Sequence, residues 1–314
     1  MTFLRLVVIT TILLSFSAAT AQRSFDVDIL AETFGFDAAT KKSVALEDLL
    51  QGCSARDCIP SIDNPKFLSA DQATHVSDDE LVITLSYKGE YRAYPAQILD
   101  HHEIVNDTVA GDALAITWCP LCGSAVGIQR TVGGEITEFG VAGVLYNSDL
   151  VLYDRTTETL WDQIEAKGIV GTMTDVELEL VPVSMSRWAK WRDKHPDTLV
   201  LSADTGFEYD YTEDTYVEYR ASTRLFMPVS ASDDRIHAKT VVFGFDLPSG
   251  AIAYAESVLQ DGGSYRHDIG GEEAVVTLHE DDQVSMQRGD QIYHPIRVFW
   301  FAWYTFHPET GLIH

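Results

Sequence analysis

Basic residues are scarce in this chain. Its 314 residues carry 22 Lys and Arg against 48 Asp and Glu, a net charge of −26. A surface of that sign repels nucleic acid and anionic membranes, which excludes both as partners and leaves a metal ion or a small molecule. Beyond the first twenty residues no apolar run is long enough to span a bilayer, which excludes stable membrane insertion. A phosphate loop, a dinucleotide fingerprint, an HExxH run and a Ser-His-Asp signature are all missing. Cysteine is sparse too: there are four, in two close pairs. What is present is an ordinary globular proportion of hydrophobic residues, 46%, in a chain long enough for two domains or one large one.

The N-terminus has the pattern of a cleavable secretory signal over residues 1–21. Arg5 is the positive region, Leu6 to Phe16 the apolar run, and Ala19-Thr20-Ala21 the small-residue cleavage site. Its removal takes away one Arg and no acid, leaving 21 basic against 48 acidic residues, or −27. The expected location is periplasmic or secreted. In such an oxidising compartment Cys53 and Cys58, four residues apart in a polar loop, are expected to form a local disulfide.

The chain repeats itself. Ala93-Tyr94 matches Ala253-Tyr254, Leu99 matches Leu259, and Ile116-Thr117 matches Val276-Thr277, all at an offset of 160. A second echo pairs Trp191 to Thr198 with Trp303 to Thr310 at an offset of 112, so the second copy lacks about 48 residues in between. Two related units on one plan follow. Where the first has Cys119, Cys122 and His102, the second has His279, Asp282 and Gly262, so the second is the scaffold half. His195 and His307 recur in both and suit a turn or capping role. The expected fold is α+β and rich in strands. Its divisions are an N-terminal extension over 22–65, a first unit over 66–204, a surface excursion over 205–234, and a degenerate second unit over 235–314. Hairpins are predicted at Lys88-Gly89 and Gly133-Gly134, short helices over Ala96 to His101 and Ser186 to Lys194, and a strand from Ala113 to Trp118 running into the second cysteine pair.

That pair, in Cys119-Pro120-Leu121-Cys122-Gly123, carries the chemistry. Two-residue spacing lets both sulfurs face one point, which suits a reversible disulfide or two thiolate ligands to one metal. A thioredoxin-type motif opens a helix, whereas Cys122 is followed by Gly-Ser-Ala-Val-Gly, poor helix material; metal ligation therefore ranks above dithiol exchange. A third ligand is sought in Asp100-His101-His102-Glu103, and a His imidazole beside two thiolates suits copper or zinc. Tyr146-Asn147-Ser148-Asp149 and Tyr153-Asp154-Arg155, followed by Trp161, form a polar cluster that would orient ligands or a small molecule.

At these residues the sequence resembles a bacterial family known as domain of unknown function 3179. The resemblance is carried by Ala93-Tyr94-Pro95, His102-Glu103-Ile104-Val105-Asn106-Asp107, the Cys119 to Gly123 segment, Phe139-Gly140-Val141, Leu145 to Leu150, Tyr153-Asp154-Arg155 and Leu160-Trp161. It implies a mostly exported protein with a Cys-Pro-x-Cys site and supplies no reaction. Trp118 and Asp162 depart from the family's usual Tyr and Ser. The leading expectation is an exported metal-binding protein with Cys119, Cys122 and His102 on copper or zinc, and with redox activity as an extension. His101, Glu103, Asn106, Asp107, Tyr146, Asn147, Asp149, Asp154, Arg155 and Trp161 would be supporting residues. The alternatives are a thiol-disulfide oxidoreductase using Cys119 and Cys122, and a non-enzymatic binding module in which that pair is a structural disulfide.

Overall fold

β-Branched and aromatic residues alternate through most of the chain, and strands dominate the structure, a computed structural model that describes residues 27–259 and 263–314. The predicted signal and Gly262 lie outside the described residues. No helix among those described is long and apolar enough to cross a membrane. Cys53 and Cys58 form the expected disulfide.

The hairpin at Lys88-Gly89 joins Leu81–Tyr87 to Glu90–Pro95. Ser184–Arg187 pairs antiparallel with the first of these strands, and Leu199–Leu201 pairs parallel with the second. In the C-terminal part Ile296–Phe299 pairs antiparallel with Val241–Phe245, which pairs antiparallel with Ile252–Ala255, and Gly311–Ile313 lies parallel to the last. Over these four strands the two sheets share order and sense, and Phe67–Ser69 adds a fifth strand to the first. A second pair of sheets also corresponds. Ile104–Val109, Asp112–Cys119 and Ser124–Gln129 run as a meander, and so do Ser264–Ile269, Glu272–Leu278 and Val284–Arg288. Ile104 to Val109 and Ser264 to Ile269 are related by the offset of 160. The Trp-x6-Thr echo has a physical basis as well. The Trp191 indole N–H donates to Thr198 Oγ1 at 3.0 Å, and that of Trp303 donates to Thr310 Oγ1 at 2.9 Å. His195 and His307 end the short helices Trp188–Lys194 and Trp300–Phe306, each with its N–H on the preceding Trp carbonyl.

The segment without a counterpart folds as a sheet of its own. Phe139–Tyr146, Asp149–Asp154, Leu160–Asp162 and Lys167–Val170 form it, with Leu49–Gln51 of the N-terminal extension on its edge. The strand predicted after Gly133-Gly134 is thus divided. Thr131–Val132 and Glu135–Ile136 close a small ribbon, while Phe139 starts the separate sheet.

Both faces of the Asp112–Cys119 strand are buried. Leu114, Ile116 and Trp118 enter a core with Ile83, Tyr94 and Leu99, whereas Ala115 and Cys119 enter another with Phe139, Trp161, Val298 and Trp300. The alternation of a strand delivers this split, since successive side chains leave on opposite sides. The second core is shared by both halves of the chain, and the cysteine turn sits inside it.

Asn106 fastens the separate sheet to the meander. Its amide donates to the Phe139 carbonyl at 2.9 Å and to Asp63 at 2.7 Å, and its oxygen accepts the Phe139 N–H at 2.9 Å. The two bonds to Phe139 are buried, so Asn106→Ala strands both of its main-chain groups. An expected loss of about 2 kcal/mol follows, measurable by urea denaturation; a loss below about 0.5 kcal/mol would rule out this role.

Candidate metal centre

Cys119 ends its strand, Pro120 and Leu121 turn the chain, and Cys122 returns it toward Ser124–Gln129. Gly123 has φ +61°, a region costly for residues with a Cβ. A Cβ there would also meet the Phe299 ring at 3.0 Å. Phe299 comes from the C-terminal half and donates its N–H to the Cys122 carbonyl at 2.7 Å. The turn is therefore gripped from the opposite half of the molecule.

The third donor arrives on a hairpin. Tyr146 pairs with Asp149, and the two residues between them, Asn147 and Ser148, both have positive φ, 54° and 65°. Such a turn matches the right-handed twist of its strands. It brings the Asp149 carboxylate to the sulfurs: Cys119 Sγ, Cys122 Sγ and a carboxylate oxygen lie within 4.8 Å of one another. The Cys122 thiol also lies 3.3 Å from the Ser148 carbonyl oxygen. Cys119 and Cys122 are free.

The charge balance here is unusual. Cys119, Cys122, Asp149 and Asp162 are all 1% exposed or less, and Glu103 is buried beside them. Among the described residues no cation lies within ion-pair distance of Glu103, Asp149 or Asp162. One oxygen of Asp149 and one of Asp162 have no hydrogen-bond partner. Burial raises both thiols, and it pushes Asp149 up to about 7 and Glu103 up to about 8. The charges of Asp100 and Asp149 add to the rise at Glu103. Buried carboxylates without partners are expensive unless protonated or bound to a cation.

This has a consequence for stability. Glu103 holds its proton more tightly in the folded than in the unfolded chain, as do Glu80, pushed by burial to about 7, and Asp100, to about 6. The folded state then binds more protons, so stability falls as pH rises. The contribution is full below about pH 4, the unfolded carboxylate range, and for Glu103 is lost as pH climbs through about 8. Glu103→Gln, made in a Cys119→Ser/Cys122→Ser background to exclude metal, should flatten that decline in urea denaturation; an unchanged slope would refute it.

His102 does not join the cysteines. Its Nδ1 faces the Pro60 carbonyl at 2.7 Å and its Nε2 the Tyr211 hydroxyl at 2.6 Å, so both ring nitrogens are engaged elsewhere. Burial lowers its pKa, which keeps the ring neutral. Glu103, at φ +56°, separates it from the strand, and it is the Glu103 carboxyl whose field reaches the site. His101 stacks on Tyr209, with ring centroids 5.1 Å apart.

Most of the other supporting residues serve the framework. Asp107 accepts from Tyr94 Oη at 2.7 Å. Asp154 caps the turn at Thr156 and Thr157 and accepts the Trp161 indole N–H at 3.0 Å. Arg155 bridges Asp63 and Glu138, each at 2.7 Å. Tyr146 lies against Phe306, with ring centroids 6.1 Å apart.

The 205–234 segment crosses the site as a strap. Ser148 exchanges two hydrogen bonds with the Met227 main chain, at 2.8 and 3.0 Å, and Asn147 Oδ1 accepts the Ser230 N–H at 2.8 Å. The Tyr219 hydroxyl donates to the Leu121 carbonyl at 3.0 Å. Both strained turns are thus tied down by a segment whose sequence reads only as polar and aromatic. Gln163, which bonds Ser124 Oγ and Thr117 Oγ1, closes the site on its inner side.

No curated protein and no solved structure matches the chain. A family described as "Protein of unknown function (DUF3179)" matches residues 56–294, a span that contains both the cysteine turn and the Asn147-Ser148 turn. The chain belongs to the DUF3179 family.

Proposed function

We propose that this protein holds a single thiophilic divalent ion between Cys119, Cys122 and Asp149. The observation that carries the reading is three donor atoms within 4.8 Å, buried with no cation among the described residues to balance them. A metal ion supplies that balance and removes the protons that burial otherwise forces onto the site. Two thiolates and a carboxylate suit zinc better than copper, since the hard oxygen donor disfavours Cu(I). Three protein ligands leave room for a fourth, exchangeable one, the arrangement of zinc sites that do chemistry. The disulfide at Cys53 and Cys58 supports an oxidising compartment and hence an exported protein, periplasmic or secreted.

A thiol-disulfide oxidoreductase would need an exposed sulfur with a lowered pKa. Cys119 and Cys122 are 1% and 0% exposed, and burial raises both thiols. That reading is therefore the weaker one. Elemental analysis of protein purified without chelator is the test, beside Cys119→Ser/Cys122→Ser. Zinc near one equivalent that vanishes in the variant is expected. No metal in either protein after reduction and reloading would end the proposal.

A further inference from the structure

Beside the cysteine turn, on the side away from the sulfurs, lies a cleft of about 510 Å³ between the two halves of the chain. Trp118, Pro120 and Gly123 form its floor, and Leu81, Val241 and Phe299 add apolar wall. In a chain with few basic residues, Arg187, Arg220, Lys239 and Arg297 all line it. Lys239 and Arg220 are already occupied, and Arg187 is engaged through one nitrogen only. Lys239 is held by the Tyr219 and Ser222 carbonyls and sits over the Tyr219 ring. Arg220 pairs with Asp214, and Arg187 donates to the Asp79 carbonyl at 2.6 Å.

Arg297 is different. Its side chain is 18% exposed, yet its nearest partners are Glu256 at 3.6 Å and the Met185 sulfur at 3.9 Å, both beyond a good hydrogen bond. Burial lowers its pKa; the Glu256 charge opposes that and the neighbouring Arg187 charge adds to it. Glu80, also on the cleft lining, is the complementary case. Its carboxylate accepts only the Ser77 N–H, at 3.3 Å, and no cation among the described residues pairs with it. Asp100, on the same wall, accepts the Trp118 indole N–H at 2.8 Å and has Arg220 no nearer than 3.9 Å.

One cavity therefore exposes an under-bonded guanidinium and an under-bonded carboxylate, with apolar surface between them. A guanidinium fork matches a carboxylate, and a carboxylate wall receives an ammonium. A dianion such as phosphate would face Glu80 and Asp100 unfavourably. We infer that the cleft binds a small zwitterion, an α-amino acid with an apolar side chain, its carboxylate on Arg297 and Arg187 and its ammonium on Glu80 and Asp100. Its body lies against Phe299 and Trp118. None of the buried donors Cys119, Cys122 and Asp149 lines the cleft, so the two sets of side chains are distinct.

Calorimetric titration of the full protein with leucine and with phenylalanine tests the inference. Binding is expected, with the deaminated acid and the decarboxylated amine of each probe weaker by at least about tenfold, the worth of one charge-assisted hydrogen bond. Arg297→Gln and Glu80→Gln should each weaken it by a similar factor. Arg187→Gln, at an exposed position that leaves the core untouched, provides a second variant, and unfolding midpoints show that each protein is folded. Failure of both amino acids to bind, equal binding of the deaminated acids, or tighter binding of inorganic phosphate would each overturn the assignment.

Discussion

Zinc added to metal-free protein should raise its unfolding free energy by about 3–4 kcal/mol once free ion exceeds the dissociation constant by two to three orders of magnitude, and a chelator should reverse the gain. In the absence of an ion, Cys119, Cys122 and Asp149 stay buried by retaining protons. An ion replaces those protons and ties a strand end to a hairpin turn 27 residues further along the chain. Asp149→Asn keeps the shape of the side chain, and the Ile164 N–H that donates to Asp149 at 3.1 Å can still find the amide oxygen. What it removes is the anionic donor. The variant should therefore fold with near-parental stability without metal and lose most of the zinc-dependent gain. A gain equal to the parent's would remove Asp149 from the ligand set and leave a site of sulfur alone.

Gly123→Ala is expected to destabilise the protein by about 2–5 kcal/mol. Two independent effects contribute. A Cβ at φ +61° costs about 1–2 kcal/mol, and overpacking against a fixed ring adds about 1–3 kcal/mol. The ring is that of Phe299, 3.0 Å from the added carbon. Phe299 cannot withdraw easily, since its N–H is bonded to the Cys122 carbonyl. The two contributions separate in a double-mutant cycle. Combining Gly123→Ala with Phe299→Leu should recover the steric part and leave the backbone part. Strict additivity of the two changes would show that the turn and the ring do not press on one another.

Much of the framework could be read in advance. The strand into Cys119 and the Lys88-Gly89 hairpin are where periodicity and turn residues place them, and the helix expected over Ser186 to Lys194 starts at Trp188, with Ser186 and Arg187 ending the preceding strand. The 160-residue offset relates Ile104–Val109 to Ser264–Ile269, six residues each, and both pair antiparallel with the strand that follows. The third donor could not be read in this way. His102 is the conventional partner for two thiolates, and its closeness in sequence to the Cys strand made it the natural expectation. Pro60 and Tyr211, 42 and 109 residues away, occupy its nitrogens, and nothing local announces either contact. Asp149 was visible only as part of a polar cluster, because Asn147-Ser148 lacks the glycine that usually marks a two-residue hairpin. Two non-glycine residues at positive φ are tolerable there because Met227 and Ser230 hold the turn from outside. A strained turn braced by a distant segment leaves almost no local signature.

The grip of Phe299 on the Cys122 carbonyl also sets an order of events. A chain that emerges N-terminus first exposes Cys119, Cys122 and Asp149 long before Met227, Ser230 and Phe299 exist to close over them. Until those residues arrive the three donors lack their cover, so the burial that raises the two thiols and the Asp149 carboxyl is completed only by the last part of the chain to be made.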